Sequence, residues 1–409
     1  NCTIYEKLSK PGGLMRSNIP AFRLPEEVLM EELNYIIDMG VKLKLNTPIN
    51  SMRSLLQEGY DAIFVGSGAP KGKDLNLPGR WEDKKHIHIG INWLEEVAFE
   101  HTKKIGDNVL IIGVGNTAMD CCRTSLRLGA KSVKVMGRKP RSFFKASDWE
   151  VEDAEEENVE IIINHSPEGF ITKNGRLTGM LFSIMEHDID ADGNILNSKS
   201  IAKVTIPCDD VILAIGQENA FPWIEVDAGI EFDQWNVPIV DKKTFESTKK
   251  GVFFGGDSAF GPKNIIWAVE HGHQAAISIH NHCRGVALKQ RAPDEIKLKS
   301  TKMGMFEWSY SNSYDESERR KMEHVDLVKR FSKLNMEVEV GYSPDQIATE
   351  VQRCLNCDIQ TVFDAPKCTE CDACIDICPV ECLSITENTH NEDIIRKSLN
   401  SDKNELNQS

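Results

Sequence analysis

Asn108-Val-Leu-Ile-Ile-Gly-Val-Gly-Asn-Thr-Ala-Met-Asp120 is the stretch that decides the fold. Asn108–Ile112 reads as a buried strand, and the spacing predicts a helix from Thr117 to Leu128. Between them, Gly113 permits a tight turn, Gly115 lets the backbone approach a pyrophosphate, and Ala118 allows close helix–strand packing. Asn116 and Thr117 stand at the helix N-terminus, whose amides and dipole suit a phosphate. The glycine pattern alone is weak. Its strand–turn–helix setting makes it a dinucleotide-binding signature, against the plainer reading of a Gly-rich turn without ligand.

Strands and helices alternate on both sides of this unit. Cys2–Tyr5 reads as a strand, Glu26–Asp38 as a helix, and Val41–Leu45 as a strand. Tyr60–Val65 reads as a buried strand stopped by Gly66-Ser-Gly68. After the glycine turn come strands at Ser132–Met136, Val159–Asn164, Leu177–Met185 and Asp210–Ala214. Gly251–Phe254 then runs into Gly255-Gly-Asp257, and a helix follows from about Asn264 to Cys283. Such alternation predicts an α/β fold of parallel sheets with crossover helices.

The end of the strand after the glycine turn bears on cofactor choice. An acidic residue there would bond the ribose 2′-hydroxyl of NAD. This strand instead ends Met136-Gly-Arg138-Lys139, with Arg141 and Lys145 close behind, which favours a 2′-phosphate and so NADP. A solvated basic loop is the alternative. An aspartate placed like Asp257 can hold a flavin ribityl hydroxyl, and a helix N-terminus can face the flavin's pyrimidine edge.

Of the twelve cysteines, seven lie between Cys354 and Cys382. Cys368-x-x-Cys371-x-x-Cys374-x-x-x-Cys378-Pro379 has the spacing of a ferredoxin-type 4Fe-4S site. Cys354, Cys357 and Cys382 could supply further ligands. One cluster is expected from the run and a second from the remainder, whereas structural zinc usually takes two separated CxxC pairs. A site this dense points to a reducing compartment, and the cytoplasm is expected. The net charge of −15 offers no basic surface for nucleic acid, and no apolar run is long enough to span a bilayer.

Together these motifs resemble the flavoprotein family of the glutamate synthase small subunit, whose module also forms the NADPH-oxidising half of dihydropyrimidine dehydrogenase. The likeness is carried by Tyr5-Glu6-Lys7, Gly12-Gly-Leu14, Ile19-Pro20 and Phe22-Arg-Leu-Pro25. It continues through Gly113-x-Gly-Asn-Thr-Ala-Met-Asp120, Ala214-Ile-Gly216, Trp235-x-x-Pro238 and Phe253-x-Gly-Gly-Asp257. The resemblance implies FAD bound by Glu6, by Gly12, Gly13 and Leu14, and by Arg23 and Gly68. It implies that Arg138 and Lys139 meet the 2′-phosphate, with Lys145 nearby. Ala214, Ile215, Gly216, Gly256, Asp257, Asn264 and Ile265 would stand where flavin and nicotinamide meet.

The family's first GxGxxG would stand about twenty residues before Glu6, which places the start of this sequence inside the first flavin-binding βαβ unit. The cysteine run follows the flavin part here, where the family usually has it in front. The expected domains are 1–105 and 232–285 for FAD, 106–231 for NAD(P), a linker with helix over 286–345, a ferredoxin-like module at 346–384 and a disordered tail at 385–409. That linker includes a helical stretch near Glu316–Leu334. Cys121, Cys122 and Cys283 are expected to be buried and inert, and no second cysteine stands in CxxC relation to Cys208. His86, His88, His271 and His273 show no catalytic or metal spacing.

The leading expectation is an NAD(P)H-oxidising subunit of a hetero-oligomeric complex, passing electrons through FAD and the clusters to ferredoxin or a catalytic partner. A glutamate synthase small subunit and a non-enzymatic electron-wiring scaffold are the alternatives. As isolated, the protein should carry iron and sulfide bound by Cys368, Cys371 and Cys374. Replacing any one by Ser should lower the cluster content and block electron exit while leaving flavin reduction intact. Elemental analysis finding zinc instead of iron would sink this assignment.

Overall fold

Five parallel strands form the centre of the structure, in the order Ile87–Ile89, Asp210–Leu213, Asn108–Ile112, Ser132–Met136 and Glu160–Ile162. The structure is a computed structural model that describes residues 1–190, 192–291 and 318–353. The chain divides into two units, Asn1–Pro293 with Met322–Gly341, and Asp294–Lys321 with Tyr342–Ser409. The sheet belongs to the first.

Alternate residues of a strand face opposite sides of its sheet, and both sides are apolar here. Val109, Ile111, Val133, Val135 and Ile212 share one cluster with Trp93, Met119 and Val151 from the helices Gly90–Ala98, Asn116–Arg127 and Asp148–Glu156. Leu110, Ile112, Met136, Val211 and Leu213 share another with Phe170, Leu177, Met180 and Phe182. Those last four belong to a three-stranded antiparallel sheet, His165–Lys173, Arg176–Ile189 and Ile195–Pro207. The parallel α/β fold is therefore present, with one correction to the expected strand at Leu177–Met185. It is part of an antiparallel meander that covers the second apolar face, where no described helix packs.

The remaining strands pair two by two. Thr3–Tyr5 runs parallel to Lys42–Lys44, and Ile63–Val65 parallel to Val252–Phe254. Met52, Val65, Phe221, Ile224, Val252 and Phe254 form their own core around the second pair.

A buried ionic layer covers the outer side of the helix Asn116–Arg127. Arg127 donates to both Glu157 oxygens at 2.6 and 2.9 Å, and Arg123 donates to Glu157 at 3.0 Å and Asp153 at 2.9 Å. Although burial pushes the Glu157 carboxyl up, the two guanidiniums outweigh it and hold it below the usual carboxylate range. The Phe22 ring lies 3.8 Å from the Arg127 guanidinium, a cation–π contact.

Arg330 completes the layer, donating to Glu156 at 2.9 and 3.1 Å while only 2% exposed. The backbone N–H of Val338 donates to the Phe22 carbonyl at 3.3 Å. The sequence predicts a linker here with a helix near Glu316–Leu334. Among the described residues only Leu327–Arg330 of that stretch is helical, and Met322–Gly341 packs into the larger unit. Burying Arg330 against Glu156 fixes this segment more strongly than its helical spacing does. The carboxylates of Asp153 and Glu156 lie close to His324, but Arg123 and Arg330 already neutralise them.

In the smaller unit the described residues include the helix Pro344–Glu350, opened by a capping box of Ser343 and Gln346. Arg320 donates its backbone N–H to Glu350 at 2.8 Å.

Glu157→Gln should destabilise the protein by about 3–5 kcal/mol, since it removes the carboxylate that pairs with buried Arg127 and one of those that pair with buried Arg123. Urea unfolding followed by circular dichroism measures this. A loss under about 1 kcal/mol, typical of exposed pairs, would show that the layer does not hold the helix.

Candidate functional site

Strand register brings the predicted nucleotide residues to one edge. Ile112 pairs with both Met136 and Leu213, so Gly113, Gly137 and Ala214 leave their strands at the same level. This is the carboxyl end of the parallel sheet, where open α/β folds bind ligands. The chain from Ile112 crosses to Ser132–Met136 on one side, while Asp210–Leu213 lies on the other. A crevice opens at such a reversal.

Gly113 has φ +125°, and a Cβ there would lie 2.2 Å from the Ala214 carbonyl oxygen. Only glycine fits. Gly115 is different: a Cβ would meet nothing among the described residues within 4 Å. Folding gives Gly115 no reason to lack a side chain, whereas a pyrophosphate close to the backbone does. Among the described residues no side chain caps the helix Asn116–Arg127. The Asn116 side chain instead accepts the Ser147 backbone N–H at 3.0 Å, and Lys145 and Ala146 both donate to the Val114 carbonyl at 3.1 Å. Ala118 is fully buried beneath the turn. The cradle fits a dinucleotide phosphate.

Beside it stands the cationic loop. Arg141 is occupied, donating to Glu155 at 2.6 and 2.8 Å. Lys139 Nζ lies 5.1 Å from the Phe143 ring, and among the described residues no carboxylate forms an ion pair with Arg138, Lys139 or Lys145. His187 Nε2 lies 3.1 Å from the Arg138 carbonyl, and its Nδ1 lies 2.7 Å from Ser198 Oγ. A contact from the antiparallel sheet thus steadies the loop, which sequence spacing does not reveal.

The residues expected around a flavin form two further groups. Gly12 and Gly13, with φ +122° and +52°, turn the chain ahead of Leu14, and a Cβ on Gly68 would lie 3.8 Å from Leu14 Cδ1. Glu6 accepts the Leu8 backbone N–H at 2.9 Å. Gly256, with φ +61°, precedes Asp257, whose carboxylate accepts the Lys263 N–H at 3.0 Å. Burial pushes the Asp257 carboxyl up. Asn264 caps its helix by accepting the Trp267 N–H at 3.1 Å, and Ile265 is 46% exposed. Gly216, with φ +113°, follows Ala214 and Ile215, and its carbonyl accepts the Lys73 N–H at 3.0 Å.

Arg23, placed along the flavin by the resemblance, donates to Asp120 at 2.6 Å and also to Glu150. Burial pushes Asp120 up to about 6 although Arg23 pulls it down. Cys354, Cys357, Cys368, Cys371, Cys374, Cys378 and Cys382 lie outside the described residues.

Cys121, Cys122 and Cys208 are buried, and burial pushes the Cys208 thiol up to about 12. Cys283, expected to be buried, is exposed near the end of its helix. His86 Nδ1 and His88 Nε2 share Asp210 Oδ1 at 3.0 and 2.9 Å, at the amino end of the sheet and away from the crevice. No helix among the described residues is long and apolar enough to cross a membrane.

A family model for pyridine nucleotide-disulphide oxidoreductases matches residues 26–272. The chain is 30% identical over 360 residues to the β subunit of an NADP(+)-dependent formate dehydrogenase from Moorella thermoacetica, covering 87% of this chain and 51% of that one. It is 31% identical over 306 residues to the small chain of an NADPH glutamate synthase from Azospirillum brasilense, covering 69% of this chain and 62% of that one. The chain thus spans about half to two thirds of the length of these relatives. Among solved structures, FprA from Mycobacterium tuberculosis in complex with NADPH is similar with a TM-score of 0.58 and 16% identity, over 69% of this chain and 78% of that one. The last likeness is one of fold.

Gly115→Ala and Gly113→Ala should separate ligand from fold. The first should melt within a degree or two of the unmodified protein yet bind NADPH at least tenfold more weakly, because its Cβ enters only the ligand's space. The second should lower the melting temperature by several degrees. Unweakened NADPH binding in Gly115→Ala, by fluorescence titration, would remove the phosphate cradle.

Proposed function

The chain belongs to the pyridine nucleotide-disulphide oxidoreductase family, and from that premise we propose that it is the NAD(P)H-oxidising iron–sulfur flavoprotein subunit of a larger complex. FAD and NADP binding are supported by the family. The observation that carries the reading is the pairing of the Gly115 cradle with the cations Arg138 and Lys139, which among the described residues form no ion pair with a carboxylate. A cradle alone suits any dinucleotide; the adjacent cations suit one with a 2′-phosphate.

In this reading Gly113 and Gly115 admit the pyrophosphate, and Ala214–Gly216 hold the nicotinamide end at the crevice. Leu14, Gly68 and Asp257 position the flavin. The nicotinamide and flavin supply hydride transfer, two electrons and one proton together, while orientation falls to the protein. Clusters bound by the cysteines from Cys354 to Cys382 would pass the electrons singly, toward ferredoxin or a redox partner subunit.

The extent of the likenesses favours this over a glutamate synthase small subunit. The Azospirillum relative matches 69% of the chain, about what residues 1–285 amount to. The match to the Moorella formate dehydrogenase subunit covers 87%, too much to be confined to that stretch. Glutamine-dependent NADPH oxidation in the presence of 2-oxoglutarate would reverse the preference.

Removing the charges of Arg138 and Lys139 together should weaken NADPH by about a hundredfold, and NADH by no more than a fewfold, since only NADPH offers a phosphate to pair with. Steady-state KM values for both cofactors decide it. Equal losses would make the loop a solvated basic turn.

A further inference from the structure

We propose that His271 is a positioning residue for the flavin site, its neutral imidazole holding the turn that presents Asp257. The inference rests on reading Asp257 as a flavin ligand. The Gly256 backbone N–H donates to His271 Nδ1 at 3.1 Å. That bond requires Nδ1 to be unprotonated, so the ring carries its proton on Nε2. Gly256 is the residue immediately before Asp257, with φ +61° and ψ −150°, a backbone state essentially reserved for glycine.

Glycine reaches this conformation and several others without strain, so the turn keeps a single shape only through the contacts around it. From the strand side, a Cβ on Gly255 would come within 2.9 Å of the Phe64 ring and 3.3 Å of His271 Cβ. From the far side, Ser258 Oγ donates to the Val65 carbonyl at 2.9 Å and the Gly255 carbonyl at 2.6 Å. His271 is 8% exposed. It packs against Phe260, Phe245 and Trp267, with ring centroids 4.5, 5.3 and 5.9 Å away.

Three charged groups bear on the ring. Asp257 stands on the turn, Lys263 on the loop after it, and Glu270 on the same helix as His271. Burial first, and Lys263 second, hold the imidazole below its ordinary range, against the pull of Glu270 and Asp257. The neutral acceptor is thus the resting form. Protonation would set an N–H against the Gly256 N–H, and the turn would lose its hold.

The test uses the full native protein and FAD, with dissociation constants measured by flavin fluorescence between about pH 5 and 9. Visible circular dichroism of the bound flavin provides a second readout. The unmodified protein should release FAD as pH falls through the protonation of His271. His271→Asn keeps an acceptor at the Nδ1 position and cannot be protonated, so it should bind FAD normally with a flat acid limb. His271→Leu leaves the Gly256 N–H unpaired and should bind FAD about tenfold more weakly at every pH. If the Leu variant fails to fold, the Asn variant decides alone. An acid limb retained in His271→Asn would assign the release to another group, such as Asp257, and overturn the proposal. So would unchanged affinity, pH profile and dichroism in His271→Leu. Absence of flavin from the unmodified protein at every pH would overturn the underlying reading as well.

Discussion

Where two parallel strands end side by side, the chain leaving one must pass the last carbonyl of the other. At Gly113 that passage leaves no room for a Cβ, because the Ala214 oxygen fills the place. The contact sets the level at which the central strands stop, and hence the floor of the crevice. It also lets the next two residues carry the chain over that floor, so that Gly115 opens the helix with its backbone bare. The nucleotide loop, the cationic loop and Ala214–Gly216 all take their positions from that edge.

The helix that begins there is held from behind by ions rather than by apolar contacts alone. Arg123 and Arg127 sit between the Phe22 ring and the carboxylates of the neighbouring helix. Removing charges from water costs several kcal/mol each, which only complete pairing offsets. The layer therefore selects geometry more than it adds stability. It admits the loop around Phe22 and Arg23 at one place, and the segment around Arg330 at another.

The sequence made the nucleotide unit legible because its signals are local. Five residues of strand, two glycines and a helix start are contiguous, and each has a steric meaning by itself. The parallel sheet followed from apolar runs buried on both faces. The antiparallel cover was harder to see, since Ile195–Pro207 is largely exposed and polar, and only one of its three strands carries a strong apolar signal. Met322–Gly341 read as linker because its decisive contacts, Arg330 with Glu156 and Val338 with Phe22, span well over a hundred residues of sequence. His271 was invisible for the same reason: its partner is a backbone amide fifteen residues away, and an amide leaves no mark in a sequence. Arg23 and Asp120 each stand in a motif of their own, and only the fold brings the two together.

The cationic loop is a local exception on a chain whose net charge is −15. A phosphorylated dinucleotide approaching from solution meets the repulsive field of the whole molecule before it meets Arg138 and Lys139. Dissolved ions screen the distant field within about a Debye length, roughly 8 Å at physiological strength. Moderate salt therefore speeds the encounter while it loosens the final pairing, so the two rate constants of cofactor exchange rise together. If the proposed site takes NADPH, cofactor exchange there would answer to ionic strength as well as to shape, with affinity falling more gently than the off-rate alone implies.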